Sequence, residues 1–222
     1  MPIGCGPWTK MRTPDITRLE TSPSKAKPFR QGRMASVIPA HLPVPDTLPP
    51  IIDVEASGFG AASYPIEVGL VLPDGTSYCT LIRPEARWTH WDESAEKVHR
   101  VSRETLLKTG RTAAEAARDV NAHLRGMTVY CDSWYHDFTW LSRLFDAAEC
   151  SQAFRLEDIR TLLNEAQAEH WYVTRLQVEA DLRLPRHRAS NDARILQATL
   201  DRVRTVWGNP VPHPGKAQKA MR

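Results

Sequence analysis

Ile51-Ile52-Asp53-Val54-Glu55-Ala56-Ser57-Gly58 is the stretch from which the rest of this chain is read. An apolar, β-branched run closed by Ser-Gly predicts a short central strand over Ile51–Glu55. Side chains two apart on a strand share a face. Asp53 and Glu55 therefore project together, while Ile52 and Val54 pack into the opposite layer. Two adjacent carboxylates repel, and burying them is costly unless a cation joins them. Hard oxygen donors of this kind suit Mg²⁺ or Mn²⁺. Taken alone, the pattern also fits a solvated strand end.

The neighbouring sequence builds a sheet around this strand. Ile66–Leu72 predicts a second strand, Pro73-Asp74-Gly75 a turn, and Thr76–Ile82 a third strand, so the second and third form a hairpin. Ser94–Val101 and Thr105–Lys108 suggest short helices. Thr112 caps a longer one, Ala113–Leu124, with Glu115 completing a capping box, and Gly126 stops it. Met127–Cys131 is a fourth strand, and Ser133 is placed to cap a helix running to about Ala148. Phe154–Leu156 is a fifth strand, with Asp158 capping the next helix. Asn191–Val203 is the last helix, with Ile195, Leu196, Thr199, Leu200 and Val203 on one face. The order predicts an α/β fold: a mixed five-stranded sheet, antiparallel in strands 1–3 and parallel in strands 4–5, with helices on both faces.

Two further segments carry candidate site residues. Asp137 opens the helix after the fourth strand, at a place where an acid also suits the helix dipole. Asp132, at the end of that strand, is a rival. Pro185-Arg186-His187 reads as a loop leading to Asn191-Asp192 in the first turn of the last helix. An imidazole on a loop beside a fixed carboxylate is suited to taking a proton near neutral pH. A surface histidine in a basic loop fits the same residues.

Composition bounds the class. The net charge of +3 is unevenly spread. Residues 1–50 hold seven Lys/Arg against three Asp/Glu, and residues 206–222 hold Lys216, Lys219 and Arg222 with no acid. The middle is therefore mildly acidic, which is unusual for a nucleic-acid binder unless cations neutralise it. Cys5, Cys79, Cys131 and Cys150 form no Cys-x-x-Cys pair, which argues against a zinc site and a disulfide framework. No apolar run approaches the ~20 residues of a membrane span, and the N-terminus lacks the apolar segment of a secretory signal. A cytoplasmic setting with reduced thiols is the expectation. Ten of the 17 prolines fall in residues 1–50, which read as a disordered, proline-rich leader. Met34 is a candidate start. Residues 51–205 form the folded domain and 206–222 a basic tail.

Taken together, the three segments resemble the DEDDh 3′–5′ exonuclease family of the ribonuclease H-like fold, whose members include oligoribonuclease, RNase T and polymerase proofreading exonucleases. Asp53-Val54-Glu55 is similar to the first motif of that family, Asp137 followed by Leu141 to the second, and His187-x4-Asp192-Ala193 to the third. Val98-His99-Arg100-Val101-Ser102 is similar to its Ile-His-Gly-Ile-Thr/Ser stretch. The resemblance implies two Mg²⁺ or Mn²⁺ ions held by Asp53, Glu55, Asp137 and Asp192, with His187 as general base. It implies hydrolysis of single-stranded RNA or DNA from the 3′ end to nucleoside 5′-monophosphates, and allows a homodimer. Three departures concern the substrate pocket. Asp132-Ser133 stand for the usual His-Asn, His136 for a Phe, and Ala56-Ser57 for Thr-Thr. Phe59 either stacks on a terminal base or joins the core. Two rivals are a catalytically weak nucleic-acid-binding or adaptor module on the same fold, and a phosphatase for small phosphoesters. Hydrolysis of an oligonucleotide with and without EDTA separates them.

Overall fold

The computed structural model describes residues 47–208. The elements run β1 (Ile51–Ala56), β2 (Pro65–Val71), β3 (Ser77–Leu81), α1 (Glu93–His99), α2 (Arg103–Thr109), α3 (Ala113–Leu124), β4 (Thr128–Cys131), α4 (Trp134–Ala147), β5 (Arg155–Asp158), a 3₁₀ turn (Ile159–Leu162), α5 (Glu165–Leu182) and α6 (Ala189–Trp207). The five strands form one sheet in the order β3-β2-β1-β4-β5. β2 is antiparallel to both β1 and β3. β4 runs parallel to both β1 and β5. The mixed sheet expected from the sequence is the one observed.

Strand alternation sorts β1 between two layers. Ile52 and Val54 face a core shared with α3 and α4, including Val120, Leu124, Leu141 and Leu144. Ile51 faces the other way, against Ala193, Leu196, Leu200 and Val203 of α6. Asp53 and Glu55 follow Ile51 on this second face. α6 therefore covers one end of their side of the sheet and leaves the carboxylates at the other.

The close seating of α6 depends on one glycine. Gly69 on β2 pairs with Asp53 on β1. A Cβ at Gly69 would lie 2.0 Å from the Ser190 amide nitrogen and 2.2 Å from the Ala189 carbonyl carbon. The first turn of α6 thus rests directly on the β2 backbone, and no side chain fits between them.

Several helix ends differ from expectation. Asp158 caps only the 3₁₀ turn, accepting from the Arg160 amide at 2.8 Å. The long α5 instead starts after Asn164, which forms a reciprocal capping box with Gln167. α6 begins two residues before Asn191 and runs past residue 205 to Trp207. Ser133 makes no side-chain cap; its carbonyl accepts from the His136 and Asp137 amides. Most of the predicted leader, Met34 included, and the tail from 209 onward lie outside the described residues. The leader's last residues are described. Pro50 is buried, and its carbonyl accepts from the Tyr130 amide at 3.0 Å. The Pro49 carbonyl accepts from Gln197 at 2.9 Å.

Gly69→Ala tests the α6 contact. The added methyl forces backbone apart from backbone, so the variant is expected to lose about 3 kcal/mol of stability in urea unfolding. An unchanged unfolding midpoint would show that α6 does not seat as described.

Candidate active site

The sheet brings the first two acids to one spot. Asp53 and Glu55 share a face at the end of β1, both half-buried, where the β1–β2 register breaks between Glu55 and Ala56. Opposite Glu55 on β2 stands Glu67, which is 1% exposed. Its carboxylate is gripped by the Arg188 guanidinium, at 2.8 Å to Oε1 and 3.1 Å to Oε2, and accepts from the Ala189 amide at 3.2 Å. This ion pair and hydrogen bond fix the start of α6 where a side-chain cap would otherwise stand. They also explain why the helix opens earlier than its sequence suggests.

Once α6 is seated, Asp192 in its first turn is buried beside β1. Its Oδ2 accepts from the His187 amide at 2.9 Å, and its Oδ1 from the Arg186 Nε at 2.6 Å. The loop bends sharply to allow this, with His187 at φ 61°, in the left-handed region. The bend leaves the His187 ring exposed but turned to the site. Ligand atoms of Glu55, His187 and Asp192 lie within 4.8 Å of one another.

The two aspartates near β4 separate cleanly. Asp132 is paired with Arg175 of α5 at 2.5 Å. Asp137 is 1% exposed, and its Oδ2 has no hydrogen-bond partner among the described residues. A buried carboxylate oxygen without a partner fits a cation. Asp137 thus has an oxygen free among the described residues, while Asp132 faces Arg175. Arg175 also holds Glu179 at 3.1 Å, and Glu179 holds Arg186. A chain of alternating charge therefore runs from Asp132 to Asp192.

The local electrostatics follow from crowding. Burial raises the Asp53 carboxyl well above the usual range, and the charges of Asp137, Glu55, Asp192 and Asp132 raise it further. Burial, then Asp192 and Glu67, push Glu55 up to about 7. Burial and the Asp132 charge push Asp137 up to about 8. Asp53, Glu55 and Asp137 resist ionising first because they are buried and then because other acids are near, so the set fits divalent cations. Mg²⁺ and Mn²⁺ both match an all-oxygen set.

A cavity of about 310 Å³ opens beside Glu55 and His187, lined also by Phe59, Val98, His99 and Trp140. Phe59 is 70% exposed, so it belongs to the rim rather than the core. Its ring meets His136 edge-on at 5.4 Å, and His136 stacks on Trp140. Gly58 starts this loop at φ 141°, and a Cβ there would lie 2.7 Å from the Asp92 Cβ. His99 is 3% exposed. Its Nδ1 accepts from the Val101 amide at 3.2 Å, so the neutral ring carries its proton on Nε2. That Nε2 has no partner among the described residues. The sequence flagged the stretch around His99 but not this donor. Glu67, Arg188 and Arg175 were missed as well. The one local signal was Glu67, a charge inside the apolar run Ile66-Glu67-Val68.

Solved structures share this arrangement of strands and helices. The fold is the ribonuclease H-like fold of exonucleases. The zinc-bound complex of E. coli exonuclease I with single-stranded DNA superposes with a TM-score of 0.54 at 11% identity, covering 70% of this chain and 40% of that one. Exonuclease I from the moderately thermophilic Methylocaldum szegediense gives 0.53 at 16% identity, covering 71% and 40%. E. coli exonuclease I in complex with a dT13 oligonucleotide gives 0.54 at 11%, covering 70% and 40%. This chain thus spans well under half the length of those exonuclease I chains. No family model and no curated protein matches the sequence.

The crowded acids set a pH dependence. Asp53, Glu55 and Asp137 have folded pKa values above their unfolded ones. From about pH 4 to 8 the native state keeps protons that the unfolded chain has released, so stability falls as pH rises. His99, lowered by burial, works the other way as pH rises through the ordinary histidine range, but it is one group against three. The metal-free protein is therefore expected to melt higher at pH 5 than at pH 8, and Mn²⁺ to close the gap. Asp137→Asn should raise the pH 8 melting temperature in EDTA. A lower one would contradict the crowding.

Proposed function

We propose that this protein is a metal-dependent 3′–5′ exonuclease acting on single-stranded nucleic acid, with single-stranded DNA as its polymer. One observation carries the reading: four carboxylates and an imidazole converge on the end of β1, and the buried Asp137 Oδ2 lacks a partner. Such a group is stable as an ionised set only when it holds cations. The exonuclease I structures bound to single-stranded DNA support the choice of polymer.

The residues divide the work. Asp53 feels the charges of all the other acids, so it would take part in holding both ions. Glu55 and Asp192 would hold one with it, and Asp137 the other. Ions held there would supply positive charge for the scissile phosphate and a lower pKa for the attacking water. His187 takes the proton from that water and, being exposed, passes it to solvent. The cavity at Phe59 and Trp140 holds the terminal nucleoside, with Phe59 as the stacking rim. The His99 Nε2 donates to an oxygen of that nucleoside. A cavity that takes a single terminal residue favours attack at an end, and the product is a nucleoside 5′-monophosphate.

Oligonucleotides carrying a label at either end test this. A 5′ label should yield a ladder of shortening products, and a 3′ label should be freed at once as mononucleotide. EDTA should stop both. Asp53→Ala should abolish release while the protein still folds. His187→Ala should slow turnover by about 10²–10⁴-fold with Mn²⁺ affinity largely retained. Oligonucleotide binding without cleavage would favour the adaptor reading, and cleavage of mononucleotides alone the phosphatase reading.

A further inference from the structure

α4 begins with an unusual run of rings, Trp134-Tyr135-His136-Asp137-Phe138. His136 turns toward Phe59 and Trp140 and so belongs to the cavity already described. Trp134, Tyr135 and Phe138 do not line it. Tyr135 is 72% and Phe138 45% exposed. Trp134 lies flat against Phe138, with ring centroids 5.1 Å apart and planes within 13°. The Trp134 indole is itself anchored, donating to the Leu156 carbonyl at 3.2 Å. Phe138 is therefore a ring held in place with one face open.

Residues three and four apart share a helix face. Tyr135, Phe138, Thr139, Ser142 and Asp146 thus form one stripe along α4, about 16 Å long at the α-helical rise. An open groove of about 630 Å³ lies between the Phe138, Thr139, Ser142 and Asp146 part of this stripe and the loop through Arg87 and His90, and Tyr135 stands one helical turn beyond Phe138, at the end of that stripe. Its lining includes Arg87 and Arg143, and the one acid among its lining residues is Asp146. Arg143 is held by backbone carbonyls, at 2.8 Å to Ala61 and also to Ser63. No carboxylate pairs with it among the described residues, so its charge faces the groove.

The groove continues the cavity. Gly58 and Phe59 line the cavity, and Ala62 of the same loop lines the groove. Asp92 lines the cavity and His90 the groove. On α4, Trp140 lines the cavity and Thr139 the groove. A strand whose last residue fills the cavity meets the groove with its next residues.

We infer that this groove is the track for the upstream part of the single strand, whose bases stack on Tyr135 and Phe138 and whose phosphates face Arg87 and Arg143. Open ring faces interleaved with cations are the chemistry of sequence-tolerant single-strand binding. The inference rests on the exonuclease reading only for where the 3′ end sits.

Fluorescence anisotropy on the full chain, in EDTA so that nothing is cut, tests it with labelled dT2 and dT12. The wild type should bind dT12 more tightly than dT2. Tyr135→Ala and Phe138→Ala should each shrink that length advantage roughly tenfold. Tyr135→Phe and Phe138→Tyr should restore it. Arg87→Ala should make dT12 binding less salt-dependent, lowering the slope by about one. The inference is overturned by a wild type with no length advantage, by equal losses on dT2 and dT12, or by alanine variants that alter self-association in sedimentation and leave dT12 binding alone. Because no turnover is needed, the two readings fail separately. A chain that never cuts, yet loses length-dependent binding on these substitutions, retains the track and loses the nuclease.

Discussion

The backbone of α6 lies on the backbone of β2 at Gly69, and the site exists because of that contact. It brings the first turn of α6 to the sheet, so Asp192 arrives beside Asp53 and Glu55 as a buried side chain. It also sets the path of the preceding loop, whose left-handed turn at His187 presents the imidazole to the same place. A side chain at Gly69, its Cβ 2.0 Å from the Ser190 nitrogen, would push the start of α6 off the sheet and scatter the set.

Packing acids this closely works against folding, and the structure offsets it with paired charges around the rim. Glu67 is neutralised by Arg188 and the Ala189 amide. Asp132 is neutralised by Arg175, which shares Glu179 with Arg186. The unpaired remainder is Asp53, Glu55 and Asp137, the three carboxyls whose proton affinity is raised. The fold thus gives Glu67 and Asp132 each an arginine, leaves Asp53, Glu55 and Asp137 without one among the described residues, and sets Asp192 between the two groups, with one oxygen on Arg186.

Much of this was legible in the chain itself. Strand period alone put Asp53 and Glu55 on one face, and the Thr112–Glu115 capping box marked α3 to the residue. The mixed sheet, antiparallel in strands 1–3 and parallel in strands 4–5, followed from a hairpin and two crossovers. What escaped was non-local. Asp132 and Asp137 could not be ranked until Arg175, 43 residues from Asp132, was seen to take the first. The start of α6 depends on Glu67, 122 residues before Ala189. The mistaken cap at Asp158 has a local cause, since two cap-forming residues stand six apart and only Asn164 has a Gln three residues on. Phe59 fitted core and rim equally, because a ring between two glycines carries no pattern that tells its direction.

The contact between Arg186 and Asp192 has a consequence for how the site fills. The carboxylate that would join a metal already has a cation on one oxygen, at 2.6 Å. An ion arriving there would not meet a bare anion, because a guanidinium already neutralises part of its charge. Its net gain would be the difference between two attractions rather than the whole of one. Were Arg186 to yield its place, Glu179 would keep it tethered nearby, a positive charge on hand for a polyanion.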